Sequence, residues 1–310
     1  MTRSTDVPAF PADGSVVFRA APPRDSEPLP QDAHGAVIIP AHDESAVIGR
    51  TLHRLRPLIA LAGIEVIVVC NGCRDDTADL ARGFPGVRVE ETEIPSKTAA
   101  MNLGDEVATA WPRLYLDADI EIDPHAVLAV FDALQQPGVL GARARYVYDA
   151  VGASVPVRSY YRARSLIPAP PKRLWGAGGY ATNEEGHRRF GRFDAVTADD
   201  SWFDEQFEDD QKRVVPTVPM RVRTPRNIAG LLAVLTRQRR GYLELGISSE
   251  ASSRGRALLS SVRGVRSAAD VGWYTLLTVA SRRRADRILR QGERDWERDA
   301  SSRTSTGDAR

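Results

Sequence analysis

Two hydrophobic rhythms alternate along the first half of the chain. Ala36 to Ile39 is a continuous apolar run stopped by Pro40, the pattern of a strand buried on both faces. Ile48, Leu52, Leu55 and Ile59 follow at helical spacing, and Asp43 or Ser45 is placed to cap the helix they predict. The pair then repeats. IEVIVVC (64–70) predicts a β-branched strand, NGCRDD a turn, and Thr77 to Arg82 a short helix capped by Asp75 or Asp76. VRVEE (87–91) predicts a third strand, Lys97 to Ala110 a helix, and RLYLD (113–117) a fourth strand. Asp123-Pro124 opens another helix, with a cap and a proline at its first position. Val127, Leu128, Phe131 and Leu134 form its inward stripe. Strand and helix alternating through short links predict an α/β fold, a mostly parallel central sheet with helices on both faces.

In such sheets ligands sit outside the carboxyl ends of the strands. Ala41 to Ser45, Asn71 to Asp76, and Asp117 to Asp119 therefore converge on one crevice. The last of these lies in LYLDADIEIDPHAV (114–127), where a buried strand ends in two acids one residue apart. Two carboxylates aimed at one spot repel unless a cation lies between them. Mg²⁺ or Mn²⁺ is the hard-cation solution, held by one or two carboxylates and completed by substrate phosphates. The plainer alternative makes Asp117 a turn or cap residue and Asp119 a solvated acid.

The flanking segments read differently. Residues 1–33 are rich in Pro, Asp, Arg and Ser without periodicity, which predicts a disordered leader. VLGARARYVY (139–148) predicts a further strand, the chain from Pro168 an irregular stretch, and 213–224 an edge strand. Residues 246–297 predict a basic, amphipathic helical extension and 298–310 a frayed tail. That extension could lie on an anionic membrane, cover the main domain (34–245), or make a homodimer contact. Its longest apolar run, VGWYTLLTVA (271–280), is about half a membrane span. With 42% hydrophobic and 27% charged residues the chain reads as an ordinary soluble protein, and a net charge of +1 argues against a nucleic-acid partner. The N-terminus lacks a signal-peptide core, so a reducing cytoplasm is expected. Cys70 and Cys73 form a lone C-x-x-C without the second pair or histidines that zinc would want.

In their order and spacing, VIIPAHDESAVIGRTLHRL, IEVIVVCNGCRDDTADLA, SKTAAMNLGDEVA and LYLDADIEI resemble the nucleotide-sugar half of a family 2 glycosyltransferase with a GT-A fold. The resemblance covers about residues 35–245. It implies an inverting, metal-dependent transferase with Mn²⁺ or Mg²⁺ as cofactor and a nucleoside-diphosphate sugar as donor. Pro40, Ala41, His42, Asp43 and Glu44 match the loop that contacts base and ribose. The resemblance makes UDP the leading donor nucleotide, and Cys70 and Asn71, which stand where family members carry two acids before Gly72, leave GDP and dTDP open.

By the same resemblance Lys97 faces the donor, with Asn102 following on its helix. Asp117 would meet ribose or metal, and Asp119 metal and diphosphate. VTADDSWFDEQF supplies Asp199 and Asp200 where the family keeps its general base. Asp200 is the expected base and Asp199 its support. Trp175, Gly178 and Gly179 match the acceptor-side segment. Arg237 and Arg240 match a basic pair that would clamp the diphosphate or an anionic acceptor, with Arg239 between them. Gly241 stands where polymer-making members carry a tryptophan, which implies a single, non-processive transfer to an acceptor left unspecified. His187 is expected to be a surface or core histidine. The rival readings are a sugar-phosphate nucleotidyltransferase and a non-catalytic nucleotide-sugar-binding scaffold.

Overall fold

A computed structural model describes residues 13–18, 28–167, 172–246 and 251–291, the side chains of 251–254 excepted. In chain order the elements are β1 (Ser15–Val17), β2 (Gly35–Ala41), α1 (Ile48–Ile59), β3 (Ile64–Asn71), α2 (Thr77–Arg82) and β4 (Val87–Thr92). Then come α3 (Lys97–Val107), β5 (Arg113–Leu116), α4 (Pro124–Leu134), β6 (Gly141–Asp149), α5 (Val155–Ser165) and β7 (Gly179–Thr182). The remainder is α6 (Glu184–Phe190), α7 (Asp199–Asp204), β8 (Lys212–Arg223), α8 (Ile228–Glu244), α9 (Ala251–Ser260) and α10 (Val265–Gln291). One sheet runs β1-β6-β7-β5-β2-β3-β4, and β8 pairs with β6. β7 is antiparallel to both its neighbours, and the other pairings are parallel.

The apolar runs fill both faces of this sheet with strict alternation. Val37 and Ile39 of β2 pack with α1 and α4, whereas Ala36 and Ile38 face α3. β3 divides the same way, Val66 and Val68 to one side and Ile67 and Val69 to the other. A period of two on a strand covered on both faces requires apolar residues throughout, which is why no polar position interrupts these runs. A third cluster joins α5, α8 and α10 beyond β6.

Several expectations meet differences. The leader is structured at Ser15–Val17, which pairs with the end of β6, while Asp13 grips the fully buried Arg143 at 2.7 Å. Neither Asp43 nor Ser45 caps α1: the N-cap is Val47, and the carbonyl of Glu44 receives the first amides. Asp43 instead adopts φ +48° and accepts from the Arg74 amide. α3 ends at Val107 rather than Ala110, and the stretch read as irregular after Pro168 contains β7. Asp123 does cap α4, accepting from His125 N at 3.0 Å, and β8 does lie outside β6. α10 covers the main domain: Tyr274 stacks on Tyr160 with ring centroids 5.0 Å apart, and Asp270 pairs with Arg162 at 2.6 Å. Residues 298–310 lie outside the described residues. Among the described residues no helix is long and apolar enough to cross a membrane.

Candidate active site

The carboxyl ends of β2, β3 and β5 open into a cleft of about 530 Å³. Pro40, Glu44, Asn71, Lys97, Asp117, Asp119, Trp175, Gly178, Asp199, Asp200 and Arg237 all line it. Asp43 instead lines an adjoining cavity of about 970 Å³ with His42, Cys70, Gly72, Cys73 and Arg74. Three further expected residues do not reach the cleft wall. Ala41 is buried behind it, Gly179 is buried in β7, and Arg240 lies on α8 away from the lining.

Lys97 is the hub of the acid cluster. Its Nζ meets Asp117 Oδ1 at 2.6 Å and Asp199 Oδ2 at 2.7 Å. Ser96 starts this helix by accepting from Ala99 N, so the lysine projects from a fixed first turn. Tyr180 donates to the same Asp199 oxygen at 2.6 Å. Asp199, 5% exposed, is thereby held by a cation and a phenol. Burial opposes charge on Lys97, yet the two carboxylates more than offset it and raise its pKa. Burial also pushes Asp117 up to about 6; Asp199 and Asp119 add to the rise and Lys97 opposes it. Asp119 has no hydrogen bond or ion pair among the described residues, although Arg50 feels its charge. The cluster thus holds one lysine-bridged carboxylate pair and one carboxylate open to the cleft.

Glycine is required beside Asp117. Gly178 has φ +67°, and a Cβ there would stand 2.9 Å from Asp117 Oδ2 and 2.6 Å from Ile120. Its carbonyl accepts from Asp117 N at 2.8 Å, which fixes the end of β5. Asp200 sits on the first turn of α7, and its oxygens accept from Gly176 N and Ser201 N, both at 2.7 Å. Burial and the neighbouring Asp199 raise its pKa. Each oxygen keeps lone-pair capacity beyond one amide. Trp175 is half-buried in the cleft wall, with Arg173 over its ring at 4.4 Å and Tyr242 edge-on at 6.4 Å.

The polar groups on the β2–β3 side are mostly occupied. The Asn71 amide donates to Ala41 O at 2.8 Å and accepts from Ser96 N at 3.3 Å, and His42 Nδ1 bonds Asn71 O. Asp75 accepts from Ser45 N and Thr77 N, both at 3.0 Å. Ligand atoms of Asp43, Cys73 and Asp75 lie within 4.8 Å of one another. Backbone amides of the facing loop bond to both carboxylates, so this trio ties the two loops together. Cys70 and Cys73 are free thiols. Asn102 brackets Phe193 through both its amide atoms, and His187 packs inside, 3.1 Å from Asp105.

Three residues of the cleft carried no local sequence signal. Tyr180 fixes Asp199, Arg164 of α5 lines the far wall, and Arg223 lines it while pairing with Glu121 at 2.7 Å. Gly241 supplies a fourth contact: a Cβ there would meet Ala198 Cβ at 2.8 Å. α8 therefore packs directly on the turn before Asp199, where a tryptophan would not fit.

Among solved structures, the mannosyltransferase PcManGT of Pyrobaculum calidifontis, in complex with GDP-Man and Mn²⁺, is similar in fold. Its TM-score is 0.59 at 19% identity, covering 88% of this chain and 92% of that one. Glucosyl-3-phosphoglycerate synthase of Mycobacterium tuberculosis, in complex with phosphoglyceric acid, gives 0.49 at 20% identity, covering 71% and 82%. No curated protein sequence matches significantly. The profile described as "Glycosyl transferase family 2" matches residues 36–194, from β2 through the acid-bearing end of β5 to the chain beyond α6. The sheet order and the placement of its strand-end loops are those of the GT-A fold. A profile spanning half the chain and a fold that agrees with it place this protein in glycosyl transferase family 2, as a glycosyltransferase.

Proposed function

We propose that the protein transfers a sugar from a nucleoside-diphosphate donor to an acceptor hydroxyl, once per encounter and with inversion at the anomeric carbon. The observation that carries this reading is the Lys97-bridged pair Asp117–Asp199, with Asp119 open beside it and Asp200 across the same cleft. The base and ribose occupy the cavity at the ends of β2, β3 and β4, and the sugar lies between Asp119 and Trp175.

The donor set fits a hard divalent cation, because Asp119 has no protein partner among the described residues and Asp117 keeps Oδ2 clear behind Gly178. Asp119 and Asp117 would hold Mn²⁺ or Mg²⁺, whose charge neutralises the departing diphosphate. Lys97 positions Asp117 and Asp199 and offsets their charge. Asp200 receives the acceptor proton; burial and the adjacent Asp199 raise its pKa, which makes it a stronger base than a free carboxylate. Trp175 orients the acceptor, and Arg237 adds positive charge to the same wall. The Asn71 amide is occupied by Ala41 and Ser96 and so selects no base, which keeps UDP, GDP and dTDP all in the panel.

The outer side of α10 leaves Leu276 at 58% and Leu289 at 46% exposure on an arginine-rich helix. That supports a peripheral contact with an anionic membrane, and co-sedimentation with anionic liposomes at low salt tests it.

The deciding experiment is a thermal-shift panel of UDP, GDP, ADP and dTDP, with and without Mn²⁺, on wild type and Asp119→Asn. A ligand that binds the native state raises apparent stability by mass action. One nucleotide should stabilise the wild type only with metal, and Asp119→Asn should abolish the effect. No shift with any nucleotide under either metal condition would sink the reading.

A further inference from the structure

Two cations of the cleft wall are held by acids. Lys97 holds Asp117 and Asp199, and Arg223 holds Glu121. On α5, Arg162 grips Asp270 through two contacts of 2.8 and 2.6 Å. Arg164, one turn-half further on the same helix, lines the cleft yet pairs with no carboxylate among the described residues. Its surroundings are the phenols of Tyr146, Tyr148, Tyr160 and Tyr274. Burial lifts the pKa of Tyr146 and Tyr160, so these phenols stay neutral and supply no counter-charge.

A guanidinium drawn out of water without an anion is costly to keep. Its planar fork matches a phosphate or carboxylate in two parallel hydrogen bonds. Arg164 does not line the cavity at the ends of β3 and β4, where the base is placed; it shares its wall with Trp175, Arg223 and Arg237. Arg223 is already balanced by Glu121, while Arg164 and Arg237 bring positive charge to the same wall, which suits an anionic group.

We propose that this half of the cleft receives a phosphate ester on the acceptor, with Arg164 as the residue that takes its charge. The inference rests on the donor reading above and names the acceptor class for it. The phosphate belongs to a soluble phosphomonoester or to a lipid headgroup, and the contact with Arg164 is the same in both.

The test titrates inorganic phosphate by calorimetry into the full chain, saturated with Mn²⁺ and the nucleotide that stabilises it. Wild type should bind phosphate, and Arg164→Gln should weaken that binding about tenfold or more, the range of a charge-assisted contact. Nucleotide affinity should stay where it was. Arg164→Lys keeps the charge without the fork and should fall between the two. In wild type, phosphate should also protect Arg164 from phenylglyoxal, read by peptide mass, which needs no variant to fold. Glycerol 3-phosphate and phosphatidic acid vesicles then separate the sources: whichever binds in an Arg164-dependent way names the acceptor type. Equal phosphate binding in wild type and both variants, or no protection, overturns the inference. Loss of nucleotide binding in Arg164→Gln also overturns it, by making Arg164 a donor-diphosphate ligand. If nucleotide binds and phosphate does not, this inference fails alone; if no nucleotide binds, the donor reading has failed first.

Discussion

The two walls of the cleft are built on opposite plans. On the β2–β3 side the polar groups come from two short strand-end loops and are committed to the backbone: Asn71 to Ala41 and Ser96, Asp75 to Ser45 and Thr77, Asp43 to Arg74. On the side of α5, β8 and α8 they are scattered over Tyr148 to Tyr242, aromatic and basic, and among the described residues Arg164 has no acid beside it. A wall whose hydrogen bonds are filled is preorganised and recognises by shape. A wall with an unmatched charge recognises by charge. Asp117, Lys97, Asp199 and Asp200 form the seam between them.

The hardest way to break this picture is at the seam. Asp200→Asn keeps the volume and removes the base, so kcat should fall by about 10² to 10⁴, the usual contribution of a positioned base. Nucleotide affinity, which belongs to the other wall, should change little. A steady-state assay paired with nucleotide calorimetry checks both halves. Loss of nucleotide affinity equal to the loss of kcat would dissolve the division between walls.

Lys97→Met should cost about 3 kcal/mol of stability in urea unfolding, because it leaves the buried Asp199 carboxylate beside Asp117 without a cation. Saturating Mn²⁺ should recover part of that loss, since a cation then returns to the cluster. An unchanged urea midpoint would show that Lys97 is not the hub.

The division also explains what the sequence made legible. β2, β3 and β5 are short apolar runs ending in turn or acid residues, and both signals lie within a few positions of each other. The strand ends of the β2–β3 wall and the position of the acid pair are therefore legible, as is the Asp123-Pro124 start of α4. β7 is not: four residues, GYAT, form a strand only because β5 and β6 flank them. β1 is three residues in a proline-rich leader, fixed by its pairing to β6 and by Asp13 on Arg143. Asp43 looked like a cap because caps are acids before a helix, but its positive φ turns the carboxylate toward the β3 loop. Arg164 and Tyr180 belong to the site through contacts that span the chain, and no local pattern marks them.

The pH response sharpens the comparison further. Native Asp117 holds its proton up to about pH 6, whereas the unfolded chain releases it near 3.8. Between those values the native state binds more protons, so metal-free stability should fall as pH rises through the window. Solvent screening at a partly exposed carboxylate leaves about 1 kcal/mol of this effect. Asp75 and Glu65, whose pKa values are lowered, act with the opposite sign. The difference between wild type and Asp117→Asn in paired urea titrations at about pH 4.5, inside that window, and about pH 7, above it, isolates the Asp117 contribution. Saturating Mn²⁺ should reverse the trend, because a carboxylate must be ionised to bind metal. A flat difference without metal would show that Asp117 titrates as an ordinary surface acid.

The smallest expected effect lies where α8 meets the seam. Gly241→Ala places a Cβ 2.8 Å from Ala198 Cβ and 3.2 Å from Ala198 N, so the turn before Asp199 must move. Replacing a helical glycine gains up to about 1 kcal/mol of propensity, and overpacking costs about 1 to 3, so the net loss should be near 0.5 kcal/mol. The kinetic consequence should exceed the thermodynamic one. A shift at Ala198 is passed to Asp199 and Asp200, while Asn71, Asp75 and Asp43 lie on the far wall. The variant should therefore lose kcat, keep its nucleotide affinity, and melt almost as the wild type does. Equal kcat in the two proteins would mean that the turn tolerates the displacement, and that α8 supports the acceptor wall without setting the position of the base.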